Sequence, residues 1–462
     1  MAEPVGTTGP RLERKLGVWD GALITIGSVI GTGIFLTTSD IARVLPHASG
    51  ILAVWLVGGL LTLAGALTYA ELGAMFPEAG GIYLFLREAY GPLTGFLYGW
   101  ACFFVIMTGG IAAIAVGFGE YFGSFFPFFS TQHVLWSLPL GSFSWTVNGG
   151  QLAGSLAILL LTAINHRGVR EGAIVQNLMT VIKIGAIGLF VVGGFLVPAK
   201  ARPEWTAPLP PVSTGWLAAF GVAMIAALWT YDGWYGLTFS AGEMKDPART
   251  FPRGIIFGTA AIVTLYVTLN LAYLRALPVG EMGGTARIGE AAAQQLFGGG
   301  ASRWLSAGIV ISTFGCLAGT ILYAARIYLP MSQERLFFRS VGKIHPRFHT
   351  PAISLWVQAG IAIVETLSGR YDQLYTYVVF MAVAFHALTG AAVFILRRRE
   401  PDRVRPYRVW GYPAVPALFI LASFILMANT LKERPVESLI GVGLIALGVP
   451  AYAFWRRSAG SR

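Results

Sequence analysis

Residues 19–36 read WDGALITIGSVIGTGIFL, an apolar stretch with Gly27, Gly31 and Gly33 near its middle and Ser28 and Thr32 among them. Each glycine costs about 1 kcal/mol relative to alanine inside a helix, and each permits backbone that other residues avoid. Two readings compete. Small residues four apart let helices pack closely in lipid, and Gly27 and Gly31 have that spacing. Alternatively the helix breaks here. Unwound backbone at membrane depth is tolerated only where it is buried in protein or lines a cavity, because lipid cannot satisfy its polar groups.

A second interruption favours the break. Residues 227–243 read ALWTYDGWYGLTFSAGE, with Asp232, Gly233 and Gly236 inside another apolar run. A carboxylate at such depth is costly and is functional by default. Working outward, the whole chain of 462 residues is 55% hydrophobic and only 12% charged, with a mean hydropathy of +0.65. Soluble domains carry about 25% charged residues. The composition therefore excludes a soluble enzyme, a disordered protein and a nucleic-acid-binding domain. The two cysteines, Cys102 and Cys316, lie in apolar runs and give neither a disulfide framework nor a thiolate metal site.

Stretches of span length number twelve: 17–44, 50–75, 93–122, 149–165, 173–198, 215–241, 254–277, 303–329, 351–368, 373–396, 411–431 and 437–455. No cleavable signal peptide is visible before the first. An even count puts both termini on one side, and the basic residues choose it. With the N-terminus inside, 23 Lys and Arg fall in inner segments and nine in outer ones, while Lys183 lies within a span. The inner set includes Arg11, Arg14 and Lys15, the run 397–408, and Arg456, Arg457 and Arg462. Positive-inside asymmetry thus predicts cytoplasmic termini, and the net charge of +11 needs no polyanion. Dropping the weak span 149–165 would turn the later basic loops outward. Residues 330–350 have the composition of an amphipathic surface helix, and 76–92 is too mixed to span and is expected along the inner surface.

The two breaks occupy spans one and six. These positions correspond if 17–198 and 215–396 are two repeats of five spans, the second inverted, followed by 411–455 and flanked by tails 1–16 and 456–462. Paired, glycine-interrupted spans in inverted repeats mark secondary transporters with a midplane site. Helix polarity then defines the ligand. Free N–H groups where span one resumes suit an anion, and unpaired carbonyls where the first half of span six ends suit a cation. A carboxylate and an ammonium on one carbon satisfy both, which describes an amino acid.

GSVIGTGIF (27–35), GALTYAELGAMFPEAGGIYLFLREAYGP (65–92), YDGW (231–234) and GEMKDPARTFPRGI (242–255) carry a resemblance, as do LRRREPDRVRPYRV (396–409) and PVES (435–438). The chain resembles the amino acid–polyamine–organocation superfamily, and within it the L-type amino acid transporter family, over nearly its whole length. The resemblance implies an all-α membrane protein with a LeuT-type 5+5 inverted repeat, discontinuous spans one and six, and two C-terminal spans. It also implies sodium-independent amino acid transport, often exchange. Carried over by position, carboxylate-binding backbone falls on Gly31, Thr32 and Gly33, and amine-binding carbonyls on Val29, Trp229, Thr230 and Asp232. Trp229 takes the place of the aromatic that covers the substrate as an outer gate. Eukaryotic L-type carriers join a glycoprotein through a cysteine after span three. The loop 123–148 has none, so a prokaryotic carrier working alone in the inner membrane is expected.

Lys183, in VIKIGAIGLF (181–190), is too deep to snorkel easily. An ammonium in hydrocarbon is costly, so the residue reads either as a proton carrier or as a charged brace. The resemblance suggests that its amine replaces the sodium of related carriers, reaching span one near Gly27 and span eight near Ser312 or Thr313. Asp232 reads either as an N-cap for the second half of span six or as a pocket carboxylate for a cationic substrate. Glu71 and Glu243 read as structural partners of basic loops, and His386 and Glu365 as structural too. Thr108, Gly109 and Gly110 line the cavity or serve packing. No Walker loop, zinc-binding His pair or nucleophile elbow is present, and neither cofactor nor metal is expected. The rivals to an exchanger are a proton symporter using Lys183 and, in another class, a channel or an amino acid sensor.

Overall fold

Glycine at 31 and 33 does break the first span. In the computed structural model it consists of two helices, Val18–Val29 and Gly33–Val44, bent by 49°. Ile30 leaves the helical region at ψ 93°, and Thr32 stands at the N-cap position of the second helix without a side-chain cap bond. The structure describes residue 14 and residues 16–460 except 79, 141–142, 168, 207, 210, 212–214 and 349, and backbone alone at 140, 143, 169–178 and 458–460. Of the tails expected at 1–16 and 456–462, Arg11, Lys15 and Arg462 lie outside the described residues.

Helices follow in order at the places of the other expected spans and take their numbers as labels. Spans two and three are Ala48–Met75 and Pro92–Phe122, and spans four and five are Gly149–Arg167 and Val169–Leu196. Span six runs from Trp216 to Glu243, and span seven is Pro247–Ala276. Spans eight to ten are Gly299–Gln333, Ala352–Ser368 and Tyr371–Arg399, and the last two Ala414–Glu433 and Pro435–Gly460. Among the described residues nine helices are long and apolar enough to cross a membrane, ten with the bent first pair taken as one. Span nine has only 17 residues. Span four buries Gln151, Ser155, Thr162 and Asn165 against its neighbours; a helix wrapped in protein needs less apolar surface than one wrapped in lipid.

Three details depart from the sequence reading. The loop after span three holds two antiparallel strands, β1 (Val134–Leu140) and β2 (Phe143–Asn148). Trp145 Nε1 docks them by donating to Leu367 O at 2.8 Å. A helix, Ile288–Phe297, lies between spans seven and eight. The amphipathic helix expected over 330–350 does not form: span eight itself continues to Gln333, and the chain then reverses through Arg335 at φ 61° into turns. Residues 76–92, by contrast, contain a nine-residue helix, Ile82–Tyr90, which buries Tyr83, Leu84, Phe85 and Leu86.

Packing divides the bundle into two groups. Spans one, two, six and seven pack on one another, as do spans three, four, eight and nine. Several contacts hold the end of the bundle where the chain enters span one, and one of them joins the two groups. There Leu16 pairs in a parallel bridge with Met244, donating to Glu243 O at 3.0 Å and accepting from Lys245 N at 2.8 Å. Glu243, closing span six, lies 3.6 Å from Arg326 of span eight. Arg87 reaches Glu334, which also accepts from Tyr83 Oη at 2.7 Å. At the same end Glu71 is buried and receives Arg397 at 2.6 and 2.9 Å and the Val409 amide at 2.7 Å.

Candidate functional site

The two breaks meet. A Cβ on Gly33 would lie 2.7 Å from Thr230 Oγ1 and 3.0 Å from its Cα, so span one crosses span six at a distance only glycine allows. On the other side of the crossing Gly233 adopts φ +95°, and its Cβ would lie 2.7 Å from Ser28 O. Thr37 Oγ1 and Thr230 Oγ1 hydrogen-bond at 2.6 Å across the same contact.

Around this crossing lies a small cavity of about 40 Å³. All seven residues expected to bind substrate line it: Val29, Gly31, Thr32, Gly33, Trp229, Thr230 and Asp232. The helix starting at Gly33 leaves its first amides without intrahelical acceptors, and its dipole makes that end positive. The helix ending at Tyr231 aims its last carbonyls at the same space. Val29 O accepts from Tyr266 Oη at 3.2 Å and Trp229 O from Asp232 N at 3.1 Å; each carbonyl keeps a second lone pair. Donors and acceptors thus face one cavity from opposite helix ends.

Asp232 does not act as the expected helix cap. The second half of span six, Trp234–Glu243, is a 3₁₀ helix whose N-cap is Gly233, with no side-chain cap bond. The Asp232 carboxylate instead faces the cavity and accepts a long hydrogen bond, 3.4 Å, from Tyr235 Oη.

Lys183 is buried, and its Nζ donates to Ile30 O at 2.7 Å and Gly27 O at 3.1 Å, holding the unwound end of the first half of span one. Neither Ser312 nor Thr313 takes a described hydrogen bond from it. Thr313 Oγ1 donates to Ile309 O at 2.7 Å, and Ser312 Oγ is buried without a partner. Gly27 also shows the packing use of glycine, since a Cβ there would lie 2.7 Å from Thr180 Oγ1.

Trp229 is 7% exposed. Its Nε1 donates to Tyr371 Oη at 2.9 Å, and its ring stacks on Tyr375 at 6.2 Å between centroids. The two tyrosines, from the start of span ten, were not anticipated. The rest of the wall was also largely missed: Ser28 from span one, Tyr235 from span six, Ile106, Met107 and Ile114 from span three, and Cys316, Thr320 and Tyr323 from span eight. Of the triad 108–110 only Gly110 lines the cavity; Thr108 Oγ1 donates to Glu365 at 3.3 Å, and Gly109 abuts Val378. The parts of the wall from spans three and eight bring neither a break nor a charge to the cavity. The sequence signal in span three is the spacing of Ile106, Gly110 and Ile114 on one helical face, and the structure adds a π-helical segment over Cys102–Ile106, a feature frequent at functional sites.

The amino acid permease family profile matches residues 16–449. The chain belongs to that family. It is 33% identical to the serine/threonine exchanger SteT of Bacillus subtilis over 447 residues, covering 96% of each chain. It is 28% identical to the human cystine/glutamate transporter over 450 residues, 97% of this chain and 87% of the other. Against the mouse large neutral amino acids transporter small subunit 2 it is 28% identical over 458 residues, 98% and 83% of the two. This permease is therefore an α-helical membrane carrier of the amino acid–polyamine–organocation superfamily with L-type relatives, and not an enzyme.

Proposed function

We propose that this permease exchanges small neutral L-amino acids across the cytoplasmic membrane by alternating access, without sodium. The observation that carries the reading is the convergence of both helix breaks on one cavity with amides at one side and carbonyls at the other. Gly31, Thr32 and Gly33 amides would hold the carboxylate, and the carbonyls of Val29, Trp229, Thr230 and Asp232 the ammonium. Trp229, held by Tyr371 and Tyr375, closes the site. The size of the cavity, the hydroxyls of Ser28, Thr320, Tyr235 and Tyr323 around it, and the serine/threonine exchanger among the relatives support a small, polar side chain.

In this reading the chain crosses twelve times as two inverted repeats plus two spans, with both termini in the cytoplasm. Spans one, two, six and seven rock against three, four, eight and nine, the two groups into which the bundle packs. Lys183 holds span one in place of a sodium ion. The loop 123–148, without cysteine, supports a carrier with no disulfide-linked glycoprotein.

Proteoliposomes test this. Labelled serine should enter vesicles preloaded with unlabelled serine, threonine or alanine, stay out of empty ones, and ignore an imposed pH gradient. Entry into empty vesicles driven by inward protons would replace exchange with proton symport. Unsaturable flux without trans-stimulation would indicate a channel, and binding without flux a sensor.

A further inference from the structure

Asp232 borders a second, separate cavity behind the substrate site. This space, of about 30 Å³, is walled by Thr62, Trp234, His386, Phe419 and Ser423 with aliphatic side chains between. His386 is 7% exposed; its Nδ1 pairs with Tyr69 Oη at 2.7 Å, while its Nε2 is buried without a hydrogen-bond partner. An orphaned ring nitrogen is costly unless something answers it. A cavity needs roughly 10–15 Å³ and two to four polar partners to hold a water, so this one has room for about two. The partners are on its wall. Besides His386 and Asp232, Thr62 and Ser423 line it; Thr62 Oγ1 and Ser423 Oγ donate to their own helices at 2.8 Å and keep lone pairs free.

We propose that this cavity is a water site joining His386 to Asp232, and that through it His386 is a positioning residue for substrate selection. Tyr69 Oη donates to Nδ1, which leaves the Nε2 proton to donate to the water. The water in turn donates to the Asp232 carboxylate. A carboxylate answered from behind makes less demand on a cation from the substrate side, so the site accepts neutral side chains. Phe419 and Trp234 shield the chain of bonds from lipid, and no group of the substrate enters the second cavity.

The proposal rests on the cavity beside Asp232 being the substrate site, and its test separates the two. His386→Phe removes the donor at similar ring size, and His386→Gln keeps one. Competition against serine exchange by arginine, relative to threonine, should strengthen about fivefold to tenfold in His386→Phe, the size expected for one buried hydrogen bond. Turnover should change little. The Gln variant should return most of the wild-type ratio, and Tyr69→Phe, which frees Nδ1 to keep its proton, should shift it in the same direction as Phe at 386. A ratio unchanged in His386→Phe, or equal shifts in the Phe and Gln variants, overturns the proposal while wild-type exchange stands. A wild type that does not exchange removes the underlying reading instead. An electron-microscopy map resolving ordered water gives a check independent of activity: density within hydrogen-bond reach of Nε2 is expected, and an empty cavity overturns the water site.

Discussion

Gly31 carries the most chemistry per atom. Its Cβ would sit 3.2 Å from Cys316 Sγ and project into the space the substrate would fill. Gly31→Leu should abolish serine binding in a scintillation proximity assay while leaving the melting temperature near wild type. A variant that still binds would remove Gly31 from the carboxylate site. Lys183 acts on the backbone instead. Lys183→Ala leaves Gly27 O and Ile30 O without their described donor, and an unsatisfied buried acceptor costs about 1–3 kcal/mol. Lower thermal stability and lost exchange are expected together. Uptake and pH dependence both intact in Lys183→Ala would end any role for the residue in holding or coupling span one.

Among the elements, the loop after span ten is bound to span two more firmly than its polar sequence suggests. Glu71 is 1% exposed and joins Arg397, the Val409 amide and, at 3.6 Å, Arg405, which is itself 5% exposed. Removing one partner of a buried pair strands the other charge, at about 3–5 kcal/mol; Arg397, 21% exposed, puts the loss nearer the low end. Glu71→Gln should therefore lower the melting temperature in detergent measurably, with substrate affinity retained in the protein that remains folded. A melting curve that does not move would show that the loop is held by other contacts. Glutamate near a basic run is legible in sequence as a pairing, but which arginines it meets is not, because residues 71 and 397 come together only when spans two and ten pack.

At the scale of the molecule, the Glu243–Arg326 pair ties the two packed groups at this end by joining span six to span eight. Opening the cavity toward that end requires the pair to separate. Glu243→Cys with Arg326→Cys, joined in proteoliposomes by a disulfide-containing bismaleimide, should therefore stop exchange, and a reductant should restore it. The native cysteines, Cys102 and Cys316, are buried away from this pair. Full exchange in the crosslinked protein would mean that this end does not open during transport.

Some of this was decided by local sequence alone. Mean hydropathy and span length set the bundle, because a backbone in lipid must pair with itself. Glycines at 31 and 33 weaken the helix locally, and Gly233 takes φ +95°, which other residues rarely adopt. These are properties of a residue and its neighbours in the chain. Tertiary structure decided the rest. Tyr371, Tyr375, Thr320 and Tyr323 look like ordinary apolar-helix residues until spans eight and ten turn them toward the cavity or over Trp229. Asp232 could cap or face a pocket on local grounds, and Gly233 at φ +95° chose the pocket. His386 read as structural, and its orphaned Nε2 exists only because Asp232 and Ser423, 154 residues before it and 37 after, close a cavity around it. A pairing between distant segments is a matter of how helices pack, and no local pattern encodes it.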